Sequence, residues 1–301
     1  MDDRNEGLPL HWLNRQKLIG YLFILPSVLG VVIFFFISLL FSSVLAFTDW
    51  KGPAGIGVSF IGIENFKQLW NDSLLHTTLL NTAIYLLHVP VAVILAFIVA
   101  IILNKLVYLK HVLRAMFFLP YITSSIAIAF VWMLLFHPSN GPINQSLLRF
   151  GISNPPGWLS ATDTAMYAIN IMSIWFVLGF NIVIFLAALQ NVPEELEDAA
   201  KIDGAKFWHI TRFITFPLVS PITFFLLIIG FISSFKSFGL IHALTGGGPG
   251  DSTNVLALYI YQTSFRYYEL GYASAVALVL FLIILLVTLL QWYGQKKWVH
   301  Y

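Results

Sequence analysis

Cysteine is absent from the 301 residues, which excludes a disulfide framework, thiolate chemistry and any cysteine metal site. Charge is almost as scarce. Lys, Arg, Asp and Glu together make up 10% of the chain and leave a formal net charge of +2, so neither a nucleic-acid footprint nor a strongly acidic partner surface is indicated. The eight histidines form no HExxH and no i, i+4 pair, and each reads as an isolated polar residue rather than a metal ligand. No Ser/His/Asp arrangement is identifiable. No GxxxxGK[ST] occurs, so the chain has no ATP-binding loop of that kind. The glycine cluster at 246–250 has no Lys-Ser/Thr behind it and reads as an outer-face turn.

What the chain has in quantity is apolar length. Apolar residues make up 58% and the mean hydropathy is +0.83, values that point to an all-α integral membrane protein. Charge-free runs at 18–48, 73–104, 115–148, 164–193, 213–235 and 270–295 each reach the ~20 residues that a bilayer helix needs. Six transmembrane helices are therefore expected. Residues 1–17 read as a short polar leader and 18–301 as one membrane domain. The first run is far longer than the roughly 7–15 residues of a signal-peptide core, so it reads as an uncleaved span.

Basic residues set the orientation. Arg4, Arg15 and Lys17, then Lys105, Lys110 and Arg114, then Lys201, Lys206 and Arg212, then Lys296 and Lys297 fall on one side. Lys51, Lys67, Arg149 and Arg266 fall on the other. Both termini and the segment 194–217 are thus placed in the cytoplasm. Pro26, Pro90 and Pro120 lie inside apolar runs, where neighbours must satisfy the freed carbonyls if the helix kinks.

Residues 194–217 are a polar island between two apolar spans. Leu196, Ala199, Ala200 and Asp203 recur at helical spacing and give one narrow face of mostly small residues. Pro193 is placed to open the helix, and Glu194, Glu195, Glu197 and Asp198 crowd the turns that the macrodipole makes favourable for negative charge. Gly204 is placed to end it. A second helical run follows, with Phe207, Ile210 and Ile214 on one side, and Pro217 stands before the next span.

This island resembles the EAA signature of permease subunits in bacterial ABC importers. Asp198-Ala199-Ala200, three residues, Gly204, nine residues and Ile214-Thr215-Phe216-Pro217 fit EAA-x3-G-x9-I-x-L-P, with Asp198 in place of Glu and Phe216 in place of Leu. Ile202-Asp203-Gly204-Ala205 reads as in the carbohydrate-importer branch, which includes the maltose-type and glycerol-3-phosphate-type permeases. Phe118-Leu119-Pro120-Tyr121, Thr245-Gly246-Gly247-Gly248-Pro249 and Gly271-Tyr272-Ala273-Ser274-Ala275 carry the likeness over most of the chain.

The resemblance implies the type I importer permease fold in a bacterial cytoplasmic membrane. It also implies a homologous partner permease, a cytoplasmic pair of ATPases that use ATP and Mg, and an extracytoplasmic solute-binding protein, with no cofactor, metal or catalytic residue in this chain. Glu195, Asp198, Ala199, Ala200, Asp203, Gly204 and Pro217 would couple to the ATPase. By offsets from the same landmarks, Tyr121 and Ser125 in the third span, Ser173, Phe176, Val177 and Phe180 in the fourth, and Gly230, Ser234 and Ser237 in or beyond the fifth would face a sugar. Tyr121 and Ser125 keep the residue type of the maltose permease, while most of the others differ from it.

Polar groups inside spans also stand out on physical grounds, because each seeks a partner or a cavity. Lys236, near the outer end of the fifth span, either snorkels to the interface or lines the solute path and favours an acidic or phosphorylated solute. Ser124, Asn181 and Ser233 are further candidates, although serines in membrane helices often only permit close packing. The competing class is an ion-coupled secondary transporter. It should show paired intramembrane carboxylates, and none of the 14 acidic residues falls in a span core.

Overall fold

The computed structural model describes residues 10–52, 57–106, 110–296 and 299. Most of the leader, residues 53–56 of the first outer loop, Lys297 and Trp298 lie outside the described residues.

The first span starts as α1 (Leu10–Val31), passes through a π-helical turn (Val32–Ile37) and ends as α2 (Ser38–Leu45). It is apolar all round, so no one face is directed to a core. None of its membrane-length stretch is buried by the rest of the chain, and Phe23 is 83% exposed. Only the α2 end packs, against α15.

A short outer helix, α3 (Glu64–Asn71), precedes the second span. That span is α4 (Ser73–Leu86) and α5 (His88–Leu106), interrupted at Leu87. Asp72 caps α4 by accepting from the backbone N–H of Leu74 at 2.8 Å and Leu75 at 3.2 Å. The interruption has a local cause. Pro90 has no N–H for the Leu86 carbonyl and its ring crowds that group.

The continuous third span expected over 115–148 is not what the chain forms. α6 (Lys110–Ile122) and α7 (Ser125–Leu135) meet at a 99° bend, and a separate amphipathic helix, α8 (Pro142–Arg149), follows. Pro120 weakens the last turn of α6, and Ser124 is held at φ −56°, ψ 123°, outside the helical region. Pro142 then opens α8 at its first turn, where a missing N–H costs nothing.

The centre of the fold is α9 (Ala165–Leu189), which packs on α5 and α6. At Gly179 the crossing with α6 is so close that a β-carbon would overlap the Phe117 carbonyl. The polar island forms α10 (Glu194–Ile202) and α11 (Phe207–Ile210). A π turn at Thr211–Thr215 joins α11 to α12 (Phe216–Phe235), so the fifth span begins at Phe207 rather than at 213. Pro217 therefore lies within a continuous helix, and the wider π turn just before it accommodates the missing donor.

Three short pieces follow α12: α13 (Gly239–Leu244), the glycine-rich turn, and α14 (Leu256–Tyr261), which runs through a π turn (Gln262–Arg266) toward the last span, α15 (Leu270–Gln295). Five described helices are long and apolar enough to cross a membrane, six if the bent α6–α7 pair counts as one span. One core cluster joins α9 to α7 and α13, around Ala129, Ile169, Met172 and Ile241. Another lies between α5, α9 and α12, around Val93, Phe185, Leu186 and Val219, and a third joins α3 and α4 to α14 and α15.

Candidate functional site

A cavity of about 390 Å³ opens where the interrupted spans converge. The bend after α6 supplies Tyr121 and Ser125, α9 supplies Ser173, Phe176, Val177 and Phe180, and the end of α12 supplies Gly230 and Ser234, with Ser237 just beyond it. All nine residues that the sequence marks out thus line one cavity. Its wall is largely apolar with a few convergent polar groups, the general make-up of a small-molecule site.

Tyr121 is the main aromatic surface. Its ring stacks on Phe180 with centroids 4.7 Å apart and planes 21° apart, and Phe176 leans in at 6.0 Å. It stays 38% exposed, so one face remains open to a ligand. Gly230 allows α12 to approach α5, because a β-carbon there would lie 2.6 Å from Val89 Cγ1.

Behind this surface runs a buried chain of hydrogen bonds centred on the α4–α5 break. Tyr85 Oη donates to Ser237 Oγ at 3.1 Å and accepts from Ser173 Oγ at 3.4 Å. His88 Nδ1 lies 2.5 Å from the Tyr85 carbonyl. A carbonyl can only accept, so Nδ1 carries a proton. Nε2 faces Ser234 Oγ at 3.3 Å, and that hydroxyl also reaches the Gly230 carbonyl at 2.7 Å. Asn170 Nδ2 donates to the Ile84 carbonyl at 2.9 Å. The Leu87 N–H also donates to the Ile84 and Tyr85 carbonyls, so the His88 and Asn170 side chains add second donors at the turn.

Tyr85 and His88 both line the cavity, and neither was identified from the sequence. His88 does not fit the reading of isolated polar histidines: it is 4% exposed and bonded at both ring nitrogens. The available signal was its place two residues before Pro90 inside an apolar run. Asn181, Ser233 and Lys236 are also on the wall, whereas Ser124 stands at the cap of α7.

The island is organised at its glycine. Gly204 adopts φ +82°, its N–H donates to the Lys201 carbonyl at 3.0 Å, and Ala205 N donates to the Ala200 carbonyl at 2.9 Å. That pair of bonds is a Schellman cap. Pro193 is the residue before the first turn rather than the first helical one. Glu195, Ala199 and Asp203 are exposed and Ala200 is half-buried. Ile202 at 87% and Trp208 at 72% exposure add a large apolar surface beside them. Asp198 is engaged within its own helix, accepting from Lys201 Nζ at 2.8 Å. Pro217 is half-buried and away from this surface. The inner side of α10 borders a cleft of about 730 Å³ with Asn104, Leu189 and Thr211, into which Glu197 turns to receive Thr215 Oγ1 at 3.4 Å.

A bundle of membrane-length apolar helices, with a solute-sized cavity beside a broken helix pair and a capped helix pair at one end, is the architecture of a membrane transport subunit. Residues 88–299 match the family described as binding-protein-dependent transport system inner membrane component, and the chain belongs to that family. It is 34% identical over 285 residues to the lactose transport system permease protein LacF of Rhizobium radiobacter, covering 92% of this chain and 94% of that one. It is 33% identical over 293 residues to the sn-glycerol-3-phosphate transport system permease protein UgpA of Agrobacterium fabrum, covering 95% and 97%. Among solved structures, a chain of a bacterial alginate ABC transporter, in complex with an alginate pentasaccharide-bound periplasmic protein, superposes with a TM-score of 0.83 at 21% identity. That match covers 96% of this chain and 98% of the other, and the fold is that of a type I ABC importer permease.

Proposed function

We propose that this permease carries a sugar or oligosaccharide, delivered by an extracytoplasmic binding protein, across the bacterial cytoplasmic membrane. The supporting observation is the convergence of Tyr121, stacked on Phe180, with the hydroxyls of Ser125, Ser173, Ser234 and Ser237 on one cavity. A sugar ring presents C–H groups to an aromatic face and hydroxyls to its rim, and this wall offers partners for both. The lactose relative and the alginate transporter support the same class, while the sn-glycerol-3-phosphate relative supports the alternative of a phosphorylated polyol or other polar solute.

In this reading both termini and the island are cytoplasmic. A homologous permease completes the membrane pair, and a cytoplasmic ATPase dimer supplies ATP and Mg chemistry. The ATPase docks on the exposed surface around Glu195, Ala199, Asp203 and Gly204. Its closure pushes α10 and α11, and because α11 is continuous with α12, the push reaches Ser234 without an intervening loop. Rocking of the spans about a midplane site follows.

Replacing Tyr121 with Ala tests the assignment. The loss of an aromatic surface and a hydroxyl corresponds to ~1–3 kcal/mol, about 5- to 150-fold in apparent affinity. Uptake into proteoliposomes is expected to fall while stimulated ATP hydrolysis survives at least in part. Unchanged transport kinetics would place the site elsewhere. Uptake should also vanish when the ATPase is omitted and persist when ion gradients are collapsed.

A further inference from the structure

Lys236 is the one lysine or arginine on the cavity wall. No Asp or Glu lines the cavity, and no carboxylate pairs with Lys236 among the described residues; the ion pairs Lys67–Glu64 and Lys201–Asp198 are on exposed surfaces elsewhere. Lys236 terminates α12, so the carbonyl end of that helix offers it a fraction of a negative charge. A fractional charge does not neutralise an ammonium. Around it the wall presents further polar groups, the hydroxyls of Ser233, Ser237 and Tyr85, and the apolar Phe238 and Leu240. Lys236 is exposed, but among apolar walls and without a counter-charge its ammonium is the centre of positive potential of the cavity, and concave low-dielectric walls focus that field on an anion.

Resting on the saccharide reading of this cavity, we propose that its solute is an anionic saccharide whose carboxylate or phosphate group sits against Lys236, while its ring lies on Tyr121. The ammonium faces the acid group and the serine hydroxyls face the sugar oxygens. The arrangement selects against neutral sugars of the same size, because these offer the ammonium no counter-charge.

The absence of native cysteine supplies the test. Ser233→Cys places one thiol in this chain, on the cavity wall. In the intact importer reconstituted in nanodiscs, its alkylation rate, read by mass spectrometry of this subunit, reports occupancy. Digalacturonate, glucose 6-phosphate and neutral galactobiose are the probes, and the first two separate a carboxylate from a phosphate preference. At least one charged probe is expected to protect the thiol at about ten-fold lower concentration than galactobiose. Lys236→Met should remove that difference and Lys236→Arg should keep it. If galactobiose protects as well as both charged probes, or if Lys236→Met leaves the difference intact, the anionic assignment is overturned and the saccharide site stands. If no probe protects, both fall.

Discussion

Asp72 joins two parts of the outer surface through one carboxylate. Besides capping α4, it receives the hydroxyls of Tyr259 and Tyr272, each at 2.5 Å. Burial opposes its charge, but the two tyrosine hydroxyls and the backbone N–H groups of Leu75 and Leu74 outweigh that, and its pKa falls below the ordinary 3.8. A lowered carboxylate pKa contributes stability that is fully present above the unfolded value and lost as pH falls through the folded one. Asp72→Asn is therefore expected to lower the stability of the purified subunit by about 1–2 kcal/mol at neutral pH, allowing for partial exposure. The gap between variant and parent in thermal unfolding should close as pH drops below 3.8; a gap independent of pH would assign the effect to packing. At this scale the sequence was legible where a residue type and an offset were enough, as for Tyr121 and Ser173. It was not legible for Tyr85 and His88, because their roles come from the turn at Leu87 and from hydroxyls on α9 and beside α12, distant in the chain.

At the scale of elements, Gly204 is the clearest case of a residue acting through backbone geometry. A β-carbon there would meet nothing within 4 Å, so the expected damage from Gly204→Val is conformational, roughly 1 kcal/mol for φ > 0 in an L residue and more for a β-branched one. The Schellman cap should loosen and α11 should point differently. The variant is expected to insert normally yet to lose co-purifying ATPase and solute uptake, while Gly204→Asn, which tolerates the left-handed region, keeps most of both. Full uptake in the valine variant would reduce the island to a simple connection. Helix pair and stop were readable here because acidic residues, glycine and apolar periodicity all agree. The third span misled for the opposite reason: the run 115–148 has no charge to mark its break, and the bend is set by Pro120, the extended Ser124 and the seat of α6 on α9. The merger of α11 with α12 was hidden because Pro217 reads as a stop unless the π turn ahead of it is known.

At the scale of the molecule, the two outer segments that flank the bundle are one surface. Asn81 Nδ2 donates to the carbonyls of Asp251 and Asn254 at 2.8 and 3.0 Å, Gly271 N donates to the Trp50 carbonyl at 2.9 Å, and Trp70 stands 81% exposed beside them. This surface is where the binding protein is expected to dock. Photo-crosslinkers at Trp70 and Asp251 should give adducts only when the binding protein is present, and equal labelling without it would remove the assignment. The interrupted helices carry a mechanical consequence of their own. A helix with an unbroken ladder is a rod, and one with a gap is two rods and a joint. The joint at 123–124 lies beside the cavity, so a solute bound there is expected to act as a wedge between two levers, stiffening the assembly until it leaves.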